Sequence, residues 1–177
     1  MTLDPSILLA CRVLGVLVFA TAVAGKLRHR DEFVGVVGQY RLLPLTLERP
    51  AAMLVIILEA GAALSLAILP TTGAVLAIAL LLIFCMAIIV NLARGRVEID
   101  CGCFQSALRQ TLSVGLVARN LLLVLAFAIL FTSSAPAAPI QWLDGLAAGT
   151  MAFLLYNIAD TLVTLRGSAQ NIVKRFS

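Results

Sequence analysis

Apolar residues run through this chain in stretches long enough to cross a bilayer, separated by shorter polar connections. A transmembrane helix needs roughly 20 mainly apolar residues. Five stretches meet that length, near 6–25, 50–69, 73–93, 112–132 and 143–165. Pro70-Thr71-Thr72 joins the second to the third and predicts a turn closing an antiparallel hairpin. The small residues and prolines from Ser133 to Pro139 end the fourth, because proline cannot continue a helix. The connection from Asp31 to Pro44 mixes apolar and polar positions and begins with acids, which predicts a short interfacial helix ending before Pro44. Gly35 and Gly38 weaken that helix. The pattern as a whole predicts an all-α fold. This is a polytopic membrane helix bundle of about five transmembrane helices, a four-helix core plus one, forming a single integral membrane domain over residues 1–177.

Composition agrees. Of the 177 residues, 62% are hydrophobic and 12% charged, whereas soluble globular chains run about 45–50% apolar and about 25% charged. Bilayer insertion accounts for the surplus. The opening residues Met1 to Pro5 carry no basic run, and no small-residue cleavage site follows, so the first stretch reads as a retained helix.

The net charge of +4 is distributed in a way that argues against nucleic-acid binding and for membrane topology. Lys26, Arg28, Arg30, Arg41 and Arg49 fall in the first connection, Arg94, Arg96 and Arg109 in the third, and Arg166, Lys174 and Arg175 in the tail. The N-terminus, the 70–72 turn and the 133–142 connection carry neither Lys nor Arg. With five spans, the positive-inside rule places the N-terminus outside and the C-terminus in the cytoplasm.

Polar residues inside the spans point to a site. Lys26 closes the first span, Glu59 lies near the middle of the second, and Asn91 near the end of the third. Arg119 and Asn120 lie early in the fourth, Asn157 and Asp160 late in the fifth. Antiparallel threading carries most of them to one leaflet, with Arg119 about 10 Å deep at 1.5 Å per residue. Unpaired charges at that depth are expensive, so Arg119 is expected to pair with Glu59 or Asp160 within a polar pocket. The competing reading is that these residues only pack helices, with Asn bridging neighbours and Arg119 snorkelling to the interface. Arg12 is expected to snorkel.

The third connection holds Cys101-Gly102-Cys103, preceded by charges in Arg94-Gly95-Arg96-Val97-Glu98-Ile99-Asp100. Two thiols one residue apart suggest redox chemistry, and the glycine permits the tight turn that closing so small a ring requires. Such a bridge would be strained and readily reduced, hence suited to exchange. Arg94, Arg96 and Arg119 favour the thiolate, while Glu98 and Asp100 act against it. Cys11 and Cys85 read as small buried apolar residues, although a re-entrant loop would bring Cys101 and Cys103 near Cys85. With His29 the only histidine, a zinc site lacks ligands.

These residues resemble the methylamine utilisation protein MauE family, a branch of the DoxX-like membrane proteins. The matching marks are Gly25-Lys26-Leu27-Arg28 with Phe33, Tyr40-Arg41-Leu42-Leu43-Pro44, and Glu59. Further marks are Asn91-Leu92-Ala93-Arg94-Gly95-Arg96 leading to Asp100-Cys101-Gly102-Cys103-Phe104, and Arg119-Asn120. Their order covers nearly the whole chain. One departure is Gln105, where the family pattern usually continues with glycine.

The resemblance implies a multi-pass protein of the bacterial inner membrane that helps to mature methylamine dehydrogenase. Its expected partners are a MauD-like thioredoxin-fold protein and, directly or indirectly, the dehydrogenase small subunit, with its many disulfides and tryptophan tryptophylquinone. Cys101 and Cys103 are then the exchanging thiols. Lys26, Tyr40, Glu59, Asn91, Arg94, Arg119, Asn120 and Asp160 form the supporting pocket. No cofactor is required, but a bound quinone near Arg119 would reoxidise the pair, and a non-catalytic chaperone or anchor is the other alternative. The dehydrogenase matures in the periplasm, whereas the charge rule puts the cysteines on the cytoplasmic side. A transmembrane relay, a loop that dips into the bundle, or an inverted orientation would each reconcile the two; the charge asymmetry favours the relay.

Overall fold

The structure is a computed structural model. It describes residues 4–96, 99, 112–131 and 139–176, with the side chains of 139, 163, 164 and 166–176 outside the description. Six α-helices make up the described chain: α1 Pro5–Arg28, α2 Arg30–Gln39, α3 Leu45–Ile68, α4 Pro70–Ala93, α5 Val114–Ala128 and α6 Pro139–Phe176. A 3-10 turn, Ile129–Phe131, extends α5.

Local chemistry sets the boundaries. Asp4 caps α1 by accepting from the Ser6 N–H at 2.8 Å, with Pro5 in the first turn, where its missing donor costs nothing. His29 breaks the chain between α1 and α2, and Asp31 and Glu32 complement the positive end of α2. Extended Pro44 precedes α3, which contains Pro50 and so begins earlier than the apolar run at 50. The expected turn at 70–72 is corrected: Pro70 is the first residue of α4, and Leu69 alone joins the hairpin. Gly73 makes this possible, because a Cβ there would run into the backbone of Leu66.

Among the described residues, four helices are long and apolar enough to cross a membrane: α1, α3, α4, and α5 with its 3-10 extension. At 1.5 Å per residue, the 24-residue helices are about 36 Å long, ample for a hydrocarbon core of about 30 Å. The fifth expected span, 143–165, lies inside α6, part of which is outside the described side chains. Asp144, Asn157 and Asp160 interrupt its apolar run. Its packing nevertheless follows the expected threading. Gly145 lies against Leu9 and Gly149 against Val13, so α6 runs parallel to α1, the sense a fifth crossing requires. The glycines let the two helices approach closely, with a Cβ on Gly149 only 2.6 Å from Val13 Cβ.

The main core joins Phe19, Leu66, Ala77, Leu81, Leu123 and Phe127 from α1, α3, α4 and α5. Phe33 of α2 is buried against Ala52 and Ile56 of α3, fixing the short helix to the bundle. Many large apolar side chains on the outer faces, such as Ile57, Leu64, Ile83, Leu122 and Leu125, are exposed, as lipid contact demands.

Gly73→Val is expected to destabilise the protein by at least about 1–3 kcal/mol, since the backbone of Leu66 has nowhere to move. A thermal melt in detergent checks this, and an unchanged midpoint would contradict the hairpin packing.

Candidate functional site

Two ion pairs organise the polar residues of the bundle. Lys26, in the last turn of α1, donates from Nζ to both carboxylate oxygens of Glu59 on α3, each at 2.7 Å. Both side chains are almost fully buried, at 4% and 2% exposure. The ammonium also lies 5.2 Å from the centroid of the Phe33 ring and 6.0 Å from that of Phe84. Ring faces attract cations, so α2 and α4 help to hold a charge taken from water.

Arg119 of α5 pairs through Nη1 with Oδ1 of Asp160 on α6, and its guanidinium lies 5.7 Å from the centroid of the Tyr156 ring. Of the two expected partners for Arg119, the structure selects Asp160. Glu59 is taken by Lys26, which antiparallel packing of α1 on α3 brings to its depth.

A cavity of about 30 Å³ lies between the pairs, with Glu59, Arg119, Asn120, Phe84 and Tyr156 on its wall. That is room for about one or two waters. Asn120 is buried, and its Nδ2 finds no protein partner among the described residues. Asn91 is fully buried but stands apart from these groups. Its Nδ2 donates to the Ala87 carbonyl at 3.0 Å, a bond within its own helix. Its backbone carbonyl accepts from Arg96 N at 3.0 Å, and Gly95 N donates to Leu92 O, with Gly95 at φ +71°. This Schellman closure ends α4 and requires a left-handed residue, which glycine supplies. Arg94 is exposed in that turn and lines neither cavity.

Tyr40 belongs elsewhere. It closes α2 and lines a larger cavity of about 200 Å³ between α2, α3 and α4, with Lys26, Phe33 and Phe84 also on the wall. Among the described residues, the expected pocket residues thus border two separate cavities, one on each side of the Lys26–Glu59 pair. The sequence pattern missed the larger one. Its signal was the aromatic set Phe33, Tyr40 and Phe84, which no regular spacing connects.

Cys101 and Cys103 lie outside the described residues. The ends of their connection are described. Ile99 is buried with Ile88, Leu112 and Leu116, and Leu112 N donates to Ile99 O at 3.1 Å. Tyr40 packs on the same cluster. Cys85 is buried, with Sγ 3.9 Å from the Val117 carbonyl, and Cys11 is half-buried at the main core. Arg12 does not simply snorkel. Its guanidinium donates to the carbonyls of Leu66 at 3.2 Å and Ala67 at 2.7 Å, satisfying the C-terminal end of α3.

A family model described as Methylamine utilisation protein MauE matches residues 4–133. The Methylamine utilization protein MauE of Paracoccus denitrificans is 41% identical over 165 residues, 90% of this chain and 89% of the relative. That of Methylorubrum extorquens is 40% identical over 174 residues, 95% and 93% of the two chains. That of Methylophilus methylotrophus is 36% identical over 167 residues, 90% and 87%. No solved structure matches.

A double-mutant cycle tests the central pair. Lys26→Met and Glu59→Leu are each expected to cost about 3–5 kcal/mol, because each leaves a buried charge alone. The double variant should cost clearly less than the sum, as read from denaturation in detergent. Additive losses would mean that the charges do not interact.

Proposed function

The chain belongs to the methylamine utilisation protein MauE family, and we propose that it serves as a membrane component of methylamine dehydrogenase maturation, working by thiol–disulfide exchange. Cys101 and Cys103 carry the exchange with a MauD-like thioredoxin-fold partner, and the dehydrogenase small subunit receives the resulting disulfides. The observation that supports this reading most directly is the Cys-Gly-Cys sequence itself, set in a connection whose ends are tied by the Leu112 to Ile99 hydrogen bond. That bond gives the connection a fixed base on a buried cluster.

The exchange balances without any further reactant. A thiolate of the partner attacks the Cys101–Cys103 disulfide and forms a mixed disulfide. The partner's second thiolate resolves it, so the partner leaves oxidised and Cys101 and Cys103 are left as thiols. Two electrons and two protons pass from the partner dithiol to this chain. Repeating the cycle requires an acceptor for them.

The basic residues Arg28, Arg30, Arg41 and Arg49 lie at the same end of the bundle as Ile99, which by the positive-inside rule favours the cytoplasmic face. A periplasmic dehydrogenase then calls for a relay across the membrane.

Cys101→Ser and Cys103→Ser, singly and together, are expected to abolish mature dehydrogenase while leaving the amount of membrane protein unchanged. Full dehydrogenase activity in the double variant would instead support a chaperone or anchor that docks its partner without thiol chemistry.

Sidedness is tested separately by a membrane-impermeant thiol reagent directed at Cys103 in a variant otherwise free of cysteine. Labelling only in opened cells is expected. Labelling of intact cells would overturn the cytoplasmic placement and remove the need for a relay.

A further inference from the structure

We propose that the cavity between α2, α3 and α4 binds the ring of a membrane quinone, the electron acceptor for the cysteine pair. This rests on the thiol–disulfide reading above for its role, though not for the binding itself.

Size is the first argument. The cavity holds about 200 Å³. A dry apolar cavity of about 150 Å³ is known to hold a benzene ring, so this one has room for a single substituted ring. Its wall is aliphatic and aromatic, with Phe33, Tyr40 and Phe84 among the lining residues. Flat rings pack well against such side chains.

Charge is the second. Among the described residues on its wall Lys26 is the charged one, and Glu59 already neutralises it. A neutral ligand suits a neutral pair in an apolar wall, whereas a phospholipid phosphate or a fatty acid carboxylate would bring an uncompensated charge. An ammonium has three donors, and both Glu59 contacts come from this one nitrogen. One donor remains for a carbonyl oxygen, the polar group a quinone ring presents.

Position is the third. Tyr40 and Ile88 line the cavity, and both also belong to the cluster that buries Ile99. Ile99 precedes Cys101 by two residues in the sequence. The exposed leucines Leu42 and Leu43 are also on the cavity wall, giving an isoprenoid tail an apolar way out toward lipid.

The reaction closes the cycle. The two thiols of Cys101 and Cys103 lose two electrons and two protons as their sulfurs bond. The quinone carbonyl oxygens take both protons and both electrons, and hydroquinone leaves.

The test uses the full chain in detergent with a photoreactive azidobenzoquinone bearing a short alkyl tail, its adducts mapped by peptide mass spectrometry. Adducts are expected within 33–43 and 83–88, and an excess of short-tail ubiquinone should suppress them. They should persist when Cys101 and Cys103 are both replaced by serine. Val37→Trp and Ala87→Trp, which fill the cavity, should each reduce the adducts about tenfold while the protein keeps its melting behaviour. Adducts elsewhere, adducts that phospholipid but not quinone displaces, or full labelling of both tryptophan variants would overturn the proposal. Mixing the reduced wild type with short-tail ubiquinone should yield one hydroquinone per cysteine pair. Mapped binding without any hydroquinone would sink the electron-acceptor role and leave only the binding.

Discussion

The Lys26–Glu59 pair is the constraint on which the rest of this bundle depends. Either charge alone in hydrocarbon costs several kcal/mol, so neither residue is tolerable unless α1 and α3 meet at one register. The pair thereby fixes the register of those helices in a way that slippery apolar surfaces do not. Arg12 repeats the logic at the far end of the same interface, binding the last carbonyls of α3. Two polar anchors, one near each end, leave little freedom for α1 to slide.

The same pair recruits its neighbours. Phe33 presents its ring to the ammonium, which helps to explain why a short helix with two glycines stays docked on α3. Phe84 lies on the other side and borders both cavities. The small cavity extends the polar zone to Arg119 and Asp160, and so ties α5 and α6 to the centre. Asn120, whose buried donor has no partner among the described residues, makes that cavity a place for water rather than an empty void.

The architecture was legible because its signal is long-range and repetitive. Runs of twenty apolar residues need no tertiary information to be read as helices. The boundaries were less legible, because proline has two readings. Pro70 looked like a turn residue but is equally suited to the first position of a helix, and only the close approach at Gly73 decides between them. The fifth apolar run, 143–165, lies within α6, where Asp160, the polar residue that interrupts it, is paired with Arg119. Of the site, each ionisable residue was visible as an anomaly in its span. Which charge meets which was not, because Glu59 and Asp160 offered the same chemistry to Arg119, and depth along antiparallel helices decided the partners.

The division of one expected pocket into two changes what the polar residues are for. Charges that pair completely are poor recruits for an ionic ligand, since their fields already cancel. What they leave is local polarity without net charge: one spare ammonium donor on Lys26, one amide on Asn120, both set in apolar walls. That favours small neutral molecules, water in the cavity of about 30 Å³ and a ring in that of about 200 Å³. The larger cavity shares Tyr40 and Ile88 with the cluster around Ile99. The same two residues therefore form part of the cavity wall and part of the packing around Ile99, two residues before Cys101 in the sequence.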